Sequence, residues 1–174
     1  MPVNLLVWES RPRLLLRAVI LLGPVLALLA ARPADLPHGW FVALTLVLSL
    51  GFAAMPESAL GTVCLGVVVF WWALAAADGV PLASIPAALL LLATHVAALL
   101  LSYGPPWLPI GTALLRRWLR RGAAVAVAAP LVWLVAVGVD DQPEPPGIWI
   151  SGLVCAVVVC IVAATAVTMR EDEA

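Results

Sequence analysis

The chain has 174 residues, 64% of them hydrophobic and 11% charged, with a formal net charge of −1 and a mean hydropathy of +1.12. A water-soluble domain of this length has too little interior for so much apolar surface, whereas lipid accepts it. The near-neutral charge leaves no electrostatic footprint for nucleic acid, and connections this short leave no room for a separate soluble domain, so residues 1–174 read as a single transmembrane domain.

A spanning helix needs about 20 predominantly apolar residues. Six runs come near that length, at about 14–31, 39–55, 59–77, 84–103, 122–139 and 147–169. The first follows Arg11, Arg13 and Arg17, and Arg17 can snorkel to the interface and lengthen it. No small-x-small cleavage site follows before Arg32, so this run reads as a retained helix rather than a signal peptide. The second begins at Trp40, a residue that favours the headgroup level.

The runs pair into three hairpins. Each outer turn carries an aspartate shortly before a proline: Asp35 and Pro37, Asp78 and Pro81, Asp141 and Pro143. Asp bonds its own backbone in turns and Pro cannot continue a helix, so shared turn chemistry explains the recurrence without a threefold repeat. On the inner side, Met55-Pro56-Glu57-Ser58 is a tight link in which Pro56 ends one helix and Ser58 is placed to cap the next. The longest connection is 104–121. Gly104-Pro105-Pro106 breaks the fourth helix, and a helical pattern resumes over about 109–121. There Ile110, Gly111, Leu114, Leu115, Trp118 and Leu119 share one face, Arg116, Arg117 and Arg120 lie opposite, and Arg121 sits at the boundary. That pattern predicts an amphipathic interfacial helix whose arginines meet anionic lipid headgroups; a basic loop that only enforces topology is the plainer reading.

All nine basic residues are arginines. With six spans, eight of them fall on one side and only Arg32 on the other. Short basic loops resist translocation, so the expected topology has both termini in the cytoplasm. The whole-chain composition and hairpin layout resemble small multi-pass membrane proteins of GC-rich, actinobacterial-type bacteria. The resemblance implies an all-α bundle in the bacterial plasma membrane and implies no particular activity.

Residues that carry chemistry are few. His95, beside Thr94, is the one ionisable residue near the middle of a span, with Ser102 and Tyr103 two turns further on. An intramembrane ionisable group is a functional candidate, although a histidine in a bundle more commonly bonds a neighbouring helix than serves a proton, a metal or haem. His38 lies at the outer end of the second span, too far in depth to share a metal with His95. Glu57 is the best-placed carboxylate, with a plainer role at the first turn of the following helix. The acidic loop 140–146 is proline-stiffened and lacks a calcium-loop pattern. Cys64, Cys155 and Cys160 lie in apolar runs, and their odd number argues against a disulfide framework.

Packing signals are clearer. Gly152, Ala156, Cys160 and Ala164 recur at four-residue spacing in the sixth run, and Gly23, Ala27 and Ala31 in the first. Such stripes let helices approach closely, and an alanine-rich chain also produces them by chance. Trp71 and Trp72 suit an aromatic belt, with one of the two turned toward protein.

No carboxylate lies well inside a span, and Asn4 and Gln142 both lie outside the spans. Cation-coupled transporters usually place such groups near the midplane. No nucleophile elbow, HExxH or phosphate loop is present, so no catalytic, cofactor-binding or metal residue is assigned and no cofactor is expected. The expectation is a non-enzymatic accessory or structural subunit of a cell-envelope or transport complex, in contact with other membrane subunits or copies of itself. The alternative is a small transporter or channel for an apolar or lipid-like substrate.

Overall fold

The computed structural model describes residues 11–30, 37–76, 79–102, 111–140, 150, 152–154, 157, 158 and 161. Among these the chain is helical with short turns and contains no strand. The helices are α1 (Arg11–Leu29), α2 (Gly39–Ala54), α3 (Leu60–Ala75), α4 (Ser84–Ser102), α5 (Thr112–Ala126) and α6 (Ala128–Asp140). They belong to one compact unit, Met1–Asp140; a second, Asp141–Ala174, contributes the helical residues from 150 onward. Among the described residues, three helical stretches are long and apolar enough to cross a membrane: Pro12–Leu29, Ser84–Ser102, and Thr112–Val139, in which α5 and α6 follow one another. α2 and α3 have 16 residues each, about 24 Å, somewhat shorter than a hydrocarbon core of about 30 Å.

α1 is the central helix and lies against α2, α3 and α4. Its core splits into two layers. Near the arginine-bearing end, Ile20 meets Phe52, Cys64, Ala97 and Leu101; at the other end, Ala27 and Leu28 meet Val68, Trp72 and Ala87. The small residues of α1 explain its closeness to α4. Gly23 and Ala27 are buried, and a Cβ on Gly23 would collide with Thr94 Oγ1. Ala31 lies outside the described residues.

Two helix ends are closed by side chains from other helices. The last four carbonyls of a helix lack an intrahelical donor. Arg17 of α1 donates from Nη1 to the Ala53 carbonyl at the end of α2, at 3.2 Å. Trp72 of α3 donates from Nε1 to the Ala27 carbonyl at the end of α1, at 3.0 Å. Of the adjacent tryptophans, Trp72 therefore faces protein, and Trp71 meets it edge-on with ring centroids 5.7 Å apart. Arg13, expected ahead of the first span, is inside α1 and only 3% exposed.

The segment after α4 departs from the sequence reading. A surface helix over 109–121 and a separate span from 122 were the expectation; the structure has one helix from Thr112 through Ala126 and a single turn at Val127. Pro130 explains the place of the break. It has no N–H for the Ala126 carbonyl, and its ring crowds that group. α5 also stands beside α4 instead of apart from it. Gly122 faces Val96, and Trp133 Nε1 donates to the Val80 carbonyl at 3.1 Å, so α5 and α6 ascend as α4 descends. Leu115, Trp118 and Leu119 turn toward α1 and α4, while Arg116, Arg117, Arg120 and Arg121 are exposed. None of the α5 residues is buried, so Leu115, Trp118 and Leu119 border an open groove beside α1 and α4.

Asp35, Asp78 and Asp141 lie outside the described residues. Gly79 has φ 125°, a conformation that side chains with a Cβ rarely adopt, which accounts for glycine in that turn.

Candidate functional site

The polar side chains singled out from sequence do not form one group. Thr94 and His95 are neighbours in α4 and therefore point about 100° apart. Thr94 is fully buried against α1, and its hydroxyl donates to the Leu90 carbonyl of its own helix at 2.8 Å. His95 is exposed on the other side and makes no hydrogen bond to another described residue. The interhelical bond expected of this histidine is not formed among the described residues.

His95 instead shares a cleft with Glu57, at a different depth. Both line a cleft of about 290 Å³ between the α2–α3 turn, α3 and α4, together with Ser58, Thr62 and Ser102. Helical periodicity builds the walls. Ser58, Gly61, Thr62 and Leu65 recur at i, i+3, i+4 and i+7 along the start of α3, and His95, Ala98, Leu99 and Ser102 do the same along α4. α3 and α4 run in opposite directions, so Glu57 and Ser58 stand at the level of Ser102. His95 lies seven residues deeper, about 10 Å along the helix.

Hydrogen bonding within the walls sets the character of the cleft. Ser58 Oγ donates to the Met55 carbonyl at 2.7 Å, and Ser102 Oγ donates to the Ala98 carbonyl at 3.0 Å. Both hydroxyl protons are committed to backbone, so the oxygens face the cleft as acceptors. With the Glu57 carboxylate, the mouth is rich in acceptors and suits a ligand that brings donors. Ser58 was expected to cap α3; it bonds backward because the chain turns after Pro56, and Ala59 occupies the cap position without a side-chain bond. Gly61 keeps the floor open to Phe52, whose ring would collide with a Cβ there.

No group of three or more His, Cys, Asp and Glu is placed to hold a metal among the described residues. His38 is exposed at the start of α2. Cys64 is buried and shares a hydrogen bond with Ser49 at 3.4 Å across α2 and α3. Of the stripe in the sixth run, Gly152 is helical and exposed; Ala156, Cys160 and Ala164 lie outside the residues whose side chains are described.

Among the arginines of α5, Arg121 stacks over the Trp118 ring, with Cζ 5.6 Å from its centroid. Thr62 was missed from sequence, and Ser58 and Ser102 were noted there separately, without being brought together. Their signal was a polar stripe on α3 matched by another on α4, which has meaning only once the two helices are known to be neighbours. No family model matches the chain, and neither a curated protein nor a solved structure is similar to it.

Proposed function

We propose that the chain is a six-span protein of the bacterial plasma membrane, with both ends cytoplasmic, acting as a non-enzymatic accessory or structural subunit of a cell-envelope or transport complex. The observation that carries this reading is where the buried polar groups direct their bonds. Thr45 and Thr94 bond carbonyls of their own helices, and Arg17 and Trp72 bond carbonyls at the ends of neighbouring ones. The two threonines are satisfied within their own helices, Arg17 and Trp72 tie neighbouring helices together, and none of the four lines a polar path among the described residues. The arginines support the orientation: Arg13 and Arg17 begin α1, and Arg116 to Arg121 flank α5 residues that share a groove with Leu16. One end of the unit is therefore basic, as a cytoplasmic end is. The exposed arginines of α5 are suited to anionic headgroups of that leaflet. Purification in mild detergent tests the subunit role. A partner at fixed stoichiometry is expected; a lone chain that sustains substrate flux in liposomes would overturn the proposal.

A second reading rests on the acceptor-rich cleft. A small transporter for a lipid-like substrate needs a polar recess open at the membrane surface, and Glu57, Ser58, Ser102 and His95 line one. Flux in liposomes containing this chain alone, lost on His95→Gln, would establish that reading.

A further inference from the structure

Between α1, α4 and α5 lies a groove of about 360 Å³ with an almost wholly aliphatic lining that includes Leu16, Leu89, Ala93, Leu100, Leu115 and Gly122. From Leu89 to Leu100 it runs eleven residues of α4, about 16 Å, which is half of a hydrocarbon core of about 30 Å. Its reach is that of one leaflet. A second apolar groove continues from it along α6 and shares Leu89 and Leu92.

The charge beside the groove is unbalanced. α5 carries Arg116, Arg117, Arg120 and Arg121 and no acidic residue. Arg116 and Arg120 are four apart, as are Arg117 and Arg121, so each pair sets like charges one above the other. Arg121 lies about 60° round the helix from Trp118, which lines the groove. Its guanidinium rests on that ring, toward the start of α5. Side chains of a helix lean toward its N-terminus, so Arg117 and Arg121 both reach toward the groove's basic end. Guanidinium groups bind phosphate bidentately, and a phosphate between the two relieves their repulsion.

We infer that this groove seats an acyl chain of one anionic phospholipid from the basic-side leaflet, with its phosphate held by Arg117 and Arg121. The inference rests on the proposed membrane location and deepens the headgroup contact into a single lipid site. The aliphatic walls accept the chain and exclude water; the arginines select the charge.

The full chain, exchanged into mixed micelles holding equal phosphatidylglycerol and phosphatidylcholine of matched acyl chains, is weighed intact by native mass spectrometry. One retained phospholipid is expected, with phosphatidylglycerol preferred. Each arginine near an anionic surface contributes on the order of fivefold, so Arg117→Gln with Arg121→Gln lowers the preference about 25-fold. Gly122→Leu, or Ala93→Leu if the first variant loses helix by circular dichroism, fills the groove and abolishes retention of both lipids. Equal retention of the two lipids overturns the assigned charge selection. Retention that survives both filling variants overturns the groove. Inorganic phosphate held as well as phosphatidylglycerol reduces the site to a bare anion site, and a dimer without lipid assigns the groove to a second copy; either result overturns the inference. Release of the chain from membranes by an alkaline wash overturns the membrane reading itself, an outcome separate from all of these.

Discussion

Gly23 of α1 and Thr94 of α4 are in such close contact that the position of a Cβ on Gly23 is already taken by Thr94 Oγ1. The two helices approach at this point because one residue has no side chain and the other holds its hydroxyl on the Leu90 carbonyl. Gly23→Ala therefore overpacks the seam and costs about 1–3 kcal/mol. Thr94→Ala alone is nearly neutral, since Leu90 belongs to the same helix and its carbonyl keeps its helical bond. Combined, the two substitutions restore most of the loss, because the remaining neighbours of the new methyl stand at 3.4 Å. Unfolding of the four proteins in detergent completes the cycle, and additive losses would show that the helices are not in contact here.

Trp72 closes the end of α1 through Ala27 while its ring packs with Leu28, Val68 and Ala87. Trp72→Phe keeps most of the packing and loses one bond, about 0.6 kcal/mol for an interhelical bond in a membrane. Trp72→Ala also empties the layer and costs about 3–5 kcal/mol. Thermal unfolding in detergent separates the two. Losses of equal size would mean that the ring contributes nothing beyond its N–H.

The arginine distribution sets a topology that labelling can check. In a background with Cys64, Cys155 and Cys160 replaced by alanine, single cysteines at Gln142 and at Ala174 react from opposite faces of intact cells. Gln142 is reached from outside and Ala174 only after the membrane is opened. Reaction of both from outside would contradict six spans.

Apolar run lengths and turn residues made the first four helices legible: expected spans 14–31, 39–55, 59–77 and 84–103 correspond to α1–α4 within a few residues. The stripe through Gly23 and Ala27 was legible for the same reason, since a period near four marks one face of a helix. The setting of α5 was not. Its wheel of leucines and arginines is the same whether α5 stands apart in the interface or beside α4, and the placement of Gly122 next to Val96 and the groove the two helices share decide. The break at Val127 was assignable to Pro130 only once α5 was seen to continue past Arg121. That His95 and Glu57 line one cleft depends on a neighbour relation between α3 and α4 that neither stripe contains by itself.

His95 is the residue whose structural and functional roles differ most in outcome. It lies exposed in the cleft, with no hydrogen bond to a described residue, so it holds no helix in place there. His95→Gln keeps a polar side chain of similar size, and His95→Leu removes polarity without burying a charge. Both variants are expected to insert, to retain the helix content of the parent and to unfold within about 0.5 kcal/mol of it, as exposed substitutions do. Under the subunit reading, with assembly on surfaces outside the cleft, both also retain the partner. Under the transport reading neither substitute titrates near neutrality, so flux would stop while folding persisted. Co-purification and liposome flux on the same three preparations decide between them. A folded His95→Gln protein that keeps its partner and loses flux, or haem or metal visible in the purified parent, would move the assignment from subunit to transport or redox protein.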